Sequence, residues 1–410
     1  MTTTFTKPDL LVIGGGPCGL MAGLLFARAG CSVRVLEKHD DFLHDFRGDT
    51  VHPSTMEVLG QLGMLERFLQ RPHQKVSRAE LRINGREMVV GDLSRVRSPT
   101  PFVAMMPQWD FLDFLRSEAE RLPNFRLDMG LGADELLHEE GRVAGARLGN
   151  GEEVRPRLTL AADGRRSIVR RDHWLPVDDL GSSIDVFWFE LPKRTAEEGT
   201  LRIAVEEGRI LVRVDRGSYW QCAFVVRKGS AAALRAAGLP AFRRALEQTE
   251  PRLGSVQGDL TSFDQLHLLE VSLDRLTRWH RQGLLAIGDA AHAMSPMGGI
   301  GINLAIQDAV AAANLLAPAL AAGTDVDPLL RQVQRRRGPS TTIIQRVQKI
   351  AQDWVLAPML ADAMAGGGDT RRSTPWPLLL LEQLPALRRL PGLAIAMGVR
   401  RERVGQLLAA

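Results

Sequence analysis

The sequence predicts an α/β fold: a central parallel sheet with a β-meander, an inserted mixed β-sheet and a helical C-terminus. Three observations predict it. The chain opens on a strand–turn–helix–strand unit, "DLLVIGGG", "CGLMAGLLFARAG" and "CSVRVLE", which begins a parallel sheet covered by helices. Far downstream, "GLLAIGDAAH" is another buried apolar run, and it leads into a second glycine-rich loop, "GDAAHAMSPMGGIGINLAIQDA" at 288–309. Between the two, residues 183–228 turn β-rich. One nucleotide-binding body, split in sequence and rejoined in space, accounts for all three.

The elements follow in order. Gly30 stands where the first helix should stop. Residues 54–70 repeat apolar positions at helical spacing, and "AELRINGREMVV" is a hairpin about Asn84-Gly85. Helix returns at 109–121, and a further hairpin turns at Asn150-Gly151. Strands fill 183–228, helices 231–249, and a long helix spans about 303–320. The remainder is helical, broken at Pro358, at Gly366–Gly368 and at "STPWP". The expected domains are a discontinuous body of 1–76, 101–177 and 271–340, a substrate-binding sheet of 77–100 and 178–270, and a C-terminal helical segment of 341–410.

Composition narrows the function. With 52 basic against 48 acidic residues in 410, a net charge of +4 is no nucleic-acid footprint. Cys18, Cys31 and Cys222 are too few and too scattered for a disulfide framework or a metal site. The N-terminus lacks a secretory signal, and no run reaches the roughly 18 apolar residues of a membrane span. A cytoplasmic protein with no membrane span and no metal is expected. "LRRLPGLAIAMGVRRERV" near the end reads as a docking helix, with weak surface association as the alternative.

The two loops carry the chemistry. Gly14, Gly16 and Gly19 form G-x-G-x-x-G between a strand and a helix whose N-terminus suits a pyrophosphate. Glu37 ends the next strand, where a carboxylate accepts from a ribose hydroxyl and repels a 2′-phosphate. NAD needs one such loop, whereas FAD needs a second grip for its ribityl chain and ring. Asp289 suits a ribityl hydroxyl. Pro296, Gly298, Gly299 and Gly301 suit backbone lying against the ring, and Ile302 and Asn303 open a helix whose free N–H groups favour negative charge there. The body is therefore read as a Rossmann-like FAD-binding domain.

With "GGGPCG", "AADGRRSIVR" at 161–170 and the 288–309 stretch in that order, the sequence resembles the flavin-dependent aromatic hydroxylases of the para-hydroxybenzoate hydroxylase type, over roughly residues 8–340. The resemblance implies that Asp163-Gly164, with Arg170 nearby, serves the FAD pyrophosphate and the nicotinamide cofactor. It implies that Arg47 contacts flavin phosphate or NAD(P)H and that Gln108 contacts the ribityl side. Lys38, beside Glu37, joins the cofactor-binding set. His292 accompanies the motif in a structural role, and no side-chain base is assignable. Tyr219 is the only tyrosine, so the pair that ionises a simple hydroxybenzoate is missing. Arg213, Tyr219, Trp220 and Pro296 are the candidate substrate contacts.

The implied activity is a monooxygenase that uses FAD, NADPH or NADH, and dioxygen. It hydroxylates an aromatic or polycyclic small molecule through a C4a-hydroperoxyflavin, and the Pro296–Gly301 loop is expected to give a moving ring room. Two alternatives stay open: a reductase or dehydrogenase of the same fold, and a non-catalytic FAD-bound accessory protein.

Overall fold

The computed structural model describes residues 5, 7–43, 50–83, 85–94, 96, 98–193, 201–360 and 398–409. Arg47, Asn84, the breaks at 366–368 and 373–377, and most of the apolar C-terminal stretch lie outside the described residues.

The central sheet runs in the order His280–Arg281, Leu284–Ala286, Leu158–Ala161, Leu10–Ile13, Val33–Leu36 and Phe125–Asp128. All its pairs are parallel except the edge strand His280–Arg281. Leu10–Ile13 and Leu158–Ala161 are buried residue by residue, as a parallel sheet covered on both faces requires. Helix Pro17–Arg28 packs on it with Gly301–Ala321 and Gln108–Ala119. A three-stranded meander, Ala133–Glu139, Arg142–Leu148 and Glu153–Val154, lies beside it. The expected hairpin about Asn150-Gly151 is only its last, short pair; the following residues leave it as the central strand Leu158–Ala161.

Glycines cut two expected helices. Pro53–Gln61 and Leu65–Leu69 part at Gly63 (φ +69°), and Ala231–Ala236 and Leu239–Thr249 part at Gly238 (φ +85°). Each glycine adopts the left-handed region that side chains avoid. The hairpin Arg78–Ile83 with Arg86–Asp92 forms as expected and does not stand alone. Leu201–Glu206 pairs with it in parallel, Leu201 opposite Ala79. The result is a seven-stranded sheet in the order His267–Leu269, Ile184–Pro192, Tyr219–Arg227, Arg209–Asp215, Leu201–Glu206, Arg78–Ile83, Arg86–Asp92.

One face of this sheet is backed by Leu239–Thr249, with Phe242 at the centre of Phe187, Phe189 and Phe224. Its other face carries Val186, Ile210, Ala223 and Val225. Towards the cofactor-binding body, Val214 packs against Val76, Val103 and Met105.

Helix Asp327–Ala351 runs unbroken through residue 340, where the sequence suggested a boundary, and continues through a π-turn, Gln352–Leu356, to Met359. Met297–Ala321 is long and apolar enough to cross a membrane by length and composition, yet most of it is buried in the fold.

Candidate active site

The first glycine loop is built around contacts that admit no side chain. A Cβ on Gly14 (φ +105°) would lie 2.5 Å from the Ala162 carbonyl oxygen, and one on Gly19 would lie 1.8 Å from that of Gly14. A Cβ on Gly16 would meet nothing within 4 Å. The loop is closed towards the protein and open where a pyrophosphate would approach. The Glu37 carboxylate is held in place by the Gly15 N–H at 3.0 Å and by the His39 N–H at 3.1 Å. Lys38 is exposed beside it, and its charge favours ionisation of Asp163.

Asp163 follows the strand Leu158–Ala161 and lies against Gly14. Its Oδ2 accepts the Ile168 N–H at 2.8 Å, while Oδ1 is buried with no partner. Burial pushes this carboxyl above the usual aspartate range, although Ser167, the Ile168 N–H and Lys38 pull the other way.

The two glycine loops touch. Cys18 Sγ donates to the Ala305 carbonyl at 3.2 Å, and a Cβ on Gly288 would come within 3.0 Å of that sulfur. Asp289 accepts from Arg165 Nε at 3.3 Å, and its Oδ1 lies 3.9 Å from the place of a Cβ on Gly301. Arg165 also donates to the Met294 carbonyl at 3.0 Å and keeps a buried Nη1 without a partner.

Pro296 begins the turn Met297–Gly299, in which Gly298 and Gly299 take φ of +79° and +61°. Thr50 Oγ1 donates to the Gly299 carbonyl at 2.9 Å. The Asn303 side chain accepts the His52 N–H at 3.1 Å and the Thr55 hydroxyl at 2.7 Å. Asn303 is thus an internal tie, which leaves the first-turn N–H groups of Gly301, Ile302 and Asn303 as the helix's contribution. Gln108 is buried at the head of its helix, just past the strand Val103–Met105 that pairs with Thr50–Val51.

Arg170 donates to the Ala290 carbonyl at 2.8 Å and pairs with Asp274 at 2.5 Å, so it braces the turn after Asp289, while its buried Nη2 has no partner. Two expectations need correction. Arg213 and Trp220 do not face the ring side. Strand alternation turns both onto the helix-backed face, where Arg213 pairs with Glu250 at 3.0 Å and lies over the Trp220 ring. Tyr219 alternates to the other face and is half-buried.

Sequence reasoning missed Thr50, Arg165 and Trp188. The indole Nε1 of Trp188 is buried with no partner, on the face shared with Ala223. Phe187 and Phe189 pack on Phe242, so the residue between them points the other way.

His292 lies in a buried cluster with Asp308 and Arg337. Its Nε2 meets Asp308 Oδ2 at 2.6 Å, and Arg337 Nε donates to Asp308 Oδ1 at 2.8 Å, all three buried. Burial alone would raise the Asp308 carboxyl, but His292 and Arg337 outweigh it and hold it below the usual range.

These features fit FAD. Two loops meet around a glycine facing open space, Glu37 and Asp289 stand apart as the two carboxylates, and Asp163 Oδ1 and Arg165 Nη1 are polar atoms awaiting partners.

Comparison with known proteins agrees. Residues 7–347 match the family described as FAD binding domain. The chain is 32% identical over 355 residues to 6-methylpretetramide 4-monooxygenase of Streptomyces rimosus, covering 85% of this chain and 84% of that one. It is 25% identical to para-nitrophenol 4-monooxygenase of Pseudomonas sp. strain WBC-3, covering 74% and 76%. Among solved structures, the anhydrotetracycline hydroxylase OxyS of Streptomyces rimosus superposes with a TM-score of 0.70 at 21% identity, covering 95% and 76%. The p-nitrophenol 4-monooxygenase PnpA of Pseudomonas putida DLL-E4 gives 0.70 at 20%, covering 96% and 99%. The chain belongs to the FAD-binding-domain family and is an FAD-dependent monooxygenase.

Proposed function

We propose that this enzyme hydroxylates a polycyclic phenolic, polyketide-type aromatic, with NADPH or NADH as reductant and dioxygen as the oxygen source. The observation that carries the reading is the meeting of the two glycine loops, with Asp163 Oδ1 and Arg165 Nη1 left unpaired beside them. The pretetramide relative supports the substrate class. So does the single tyrosine, which disfavours simple hydroxybenzoates. The resorcinol hydroxylase of Rhodococcus jostii, described as NADH-specific and 27% identical, supports a nicotinamide reductant. Three buried free cysteines suit a reducing cytoplasm.

In this reading Gly14, Gly16 and Gly19 hold the pyrophosphate at the N-terminus of Pro17–Arg28, with Lys38 and Asp163 around it; Arg47, outside the described residues, keeps the role that the resemblance implies. Glu37 accepts from the adenosine ribose, while Asp289 and Gln108 hold the ribityl chain. Pro296, Gly298, Gly299 and Gly301 line the ring, and the N–H groups of Ile302 and Asn303 stabilise negative charge at its edge. Bound FAD supplies the redox chemistry, carrying reducing equivalents from the nicotinamide and passing one oxygen atom of dioxygen to the substrate. The protein's part is to orient both molecules and exclude water. Residues 77–100 and 178–270 form the substrate side, with Tyr219 retained as a contact and the Trp188 indole N–H added as a donor.

The test is NADPH and NADH oxidation by purified, FAD-loaded protein across a panel of tetracyclic and monocyclic phenols. The proposal expects stimulation by the polycyclic compounds, with hydroxylated product. Stimulation confined to monocyclic phenols would overturn the substrate class.

A further inference from the structure

The last long helix is inverted in polarity near its end. Arg337, Thr341, Gln345 and Gln348 are buried, as is Gln352 in the π-turn, while Ile343, Val347, Ile350 and Trp354 face solvent. Burying amides is unfavourable unless they are hydrogen-bonded. Here all three glutamines bond to the segment entering the second glycine loop. Gln345 Nε2 donates to the carbonyls of Asp274 at 2.8 Å and Ala293 at 3.0 Å. Gln348 Nε2 donates to the carbonyls of Ser295 and Met297, both at 3.1 Å, and its Oε1 accepts the Ser295 N–H at 3.2 Å. Gln352 Nε2 donates to Ser295 Oγ at 2.6 Å, and its Oε1 accepts the Ser182 hydroxyl at 3.3 Å. Every polar group of Ser295, backbone and side chain, is therefore held by one helix.

We propose that Gln345, Gln348 and Gln352 are positioning residues for the flavin ring, acting through the loop that they clamp. The proposal rests on the reading of Pro296–Gly301 as the ring-facing loop. This short stretch bonds to itself through the turn from the Gly299 N–H to the Pro296 carbonyl at 3.0 Å, and an amide side chain offers both donor and acceptor at a reach that fits the groups left over. The far end is tied too, by Thr50 and Asn303 at the Gly299 carbonyl. The loop is therefore a fixed cradle, and any movement of the ring takes place against it. Through Ser182, at the root of strand Ile184–Pro192, Gln352 also links the cradle to the substrate-side sheet.

The test is Gln348→Met, which keeps the length and removes three hydrogen bonds. Gln334→Met is the control. Gln334 sits on the same helix but holds the Trp279 N–H at 3.1 Å and the Thr277 carbonyl at 2.9 Å. Two readouts are taken: amide hydrogen exchange of residues 293–301 in the protein as purified, and FAD affinity from flavin fluorescence. One hydrogen bond typically corresponds to a factor of about two to ten. Gln348→Met should therefore speed exchange in 293–301 by about tenfold or more and weaken FAD binding about tenfold, with little change elsewhere. Gln334→Met should change neither readout. Unchanged loop exchange, equal acceleration throughout the chain, or a loosened loop with intact FAD affinity would each overturn the proposal. A wild-type protein that binds no FAD would instead refute the functional reading, and loop exchange would still decide whether the glutamines hold the loop.

Discussion

Asp289 and Asp308 lie close in the sequence and have opposite duties. Asp289 is partly open, shares Arg165, and faces the helix start at Gly301. A hydrogen bond to a charged group contributes roughly 1.5–3 kcal/mol, so Asp289→Ala should weaken FAD binding by about one to two orders of magnitude. Fluorescence titration with FAD checks this, and unchanged affinity would remove Asp289 from the site. Asp308 is sealed between His292 and Arg337. Its depressed pKa means that its stabilisation is complete above the ordinary aspartate range and is lost as pH falls through the folded-state value. Asp308→Asn leaves the buried Arg337 with Glu402 at 3.7 Å as its remaining carboxylate and should cost about 1–3 kcal/mol near neutral pH. Denaturant titrations from neutral to acid pH should show the gap between the two proteins narrowing as pH falls. Trp188→Phe keeps an aromatic ring, a smaller one, and removes the orphan donor. It should raise the KM of the aromatic substrate while leaving FAD affinity unchanged. Asp289 was legible from its motif, whereas Asp308 carried no sign of its buried partner Arg337, which arrives from the next long helix.

Elements read from local chemistry were mostly correct, and errors arose where tertiary contacts decide. The Gly85 hairpin needs no more than its turn, but its parallel partner Leu201–Glu206 could not be read locally. Arg213 on a strand is uninformative until the backing helix fixes which face is inner. Arg213→Ala should leave the buried Glu250 carboxylate with Arg82 at 3.6 Å as its remaining arginine, a loss of about 1–3 kcal/mol. Thermal unfolding would show it, with the pattern of accepted substrates unchanged. Gly299 is similar. A methyl there would stand 2.5 Å from Thr50 Oγ1, a contact that no local reading supplies. Gly299→Ala should also cost about 1–2 kcal/mol in backbone strain at its positive φ. FAD content and substrate stimulation should then fall together, as the ratio of flavin to protein absorbance would report.

At the scale of the molecule, the two phosphate- and ring-side loops were visible because each needs glycines and an acid at fixed places. Their union was inferable from FAD's length, and the contact of Cys18 with Ala305 and Gly288 realises it. The last helix was not legible as part of the site, since its glutamines look like a solvated face until Ala293–Met297 is packed against them. The central claim is that this scaffold transfers oxygen and is neither a same-fold reductase nor an accessory protein. The most direct measurement is mass spectrometry of the product formed from a polycyclic phenol with NAD(P)H under isotopically labelled dioxygen. The account predicts one labelled oxygen atom per product molecule, with none gained from labelled water. A product reduced or rearranged without label, formed while the nicotinamide is consumed, would contradict it.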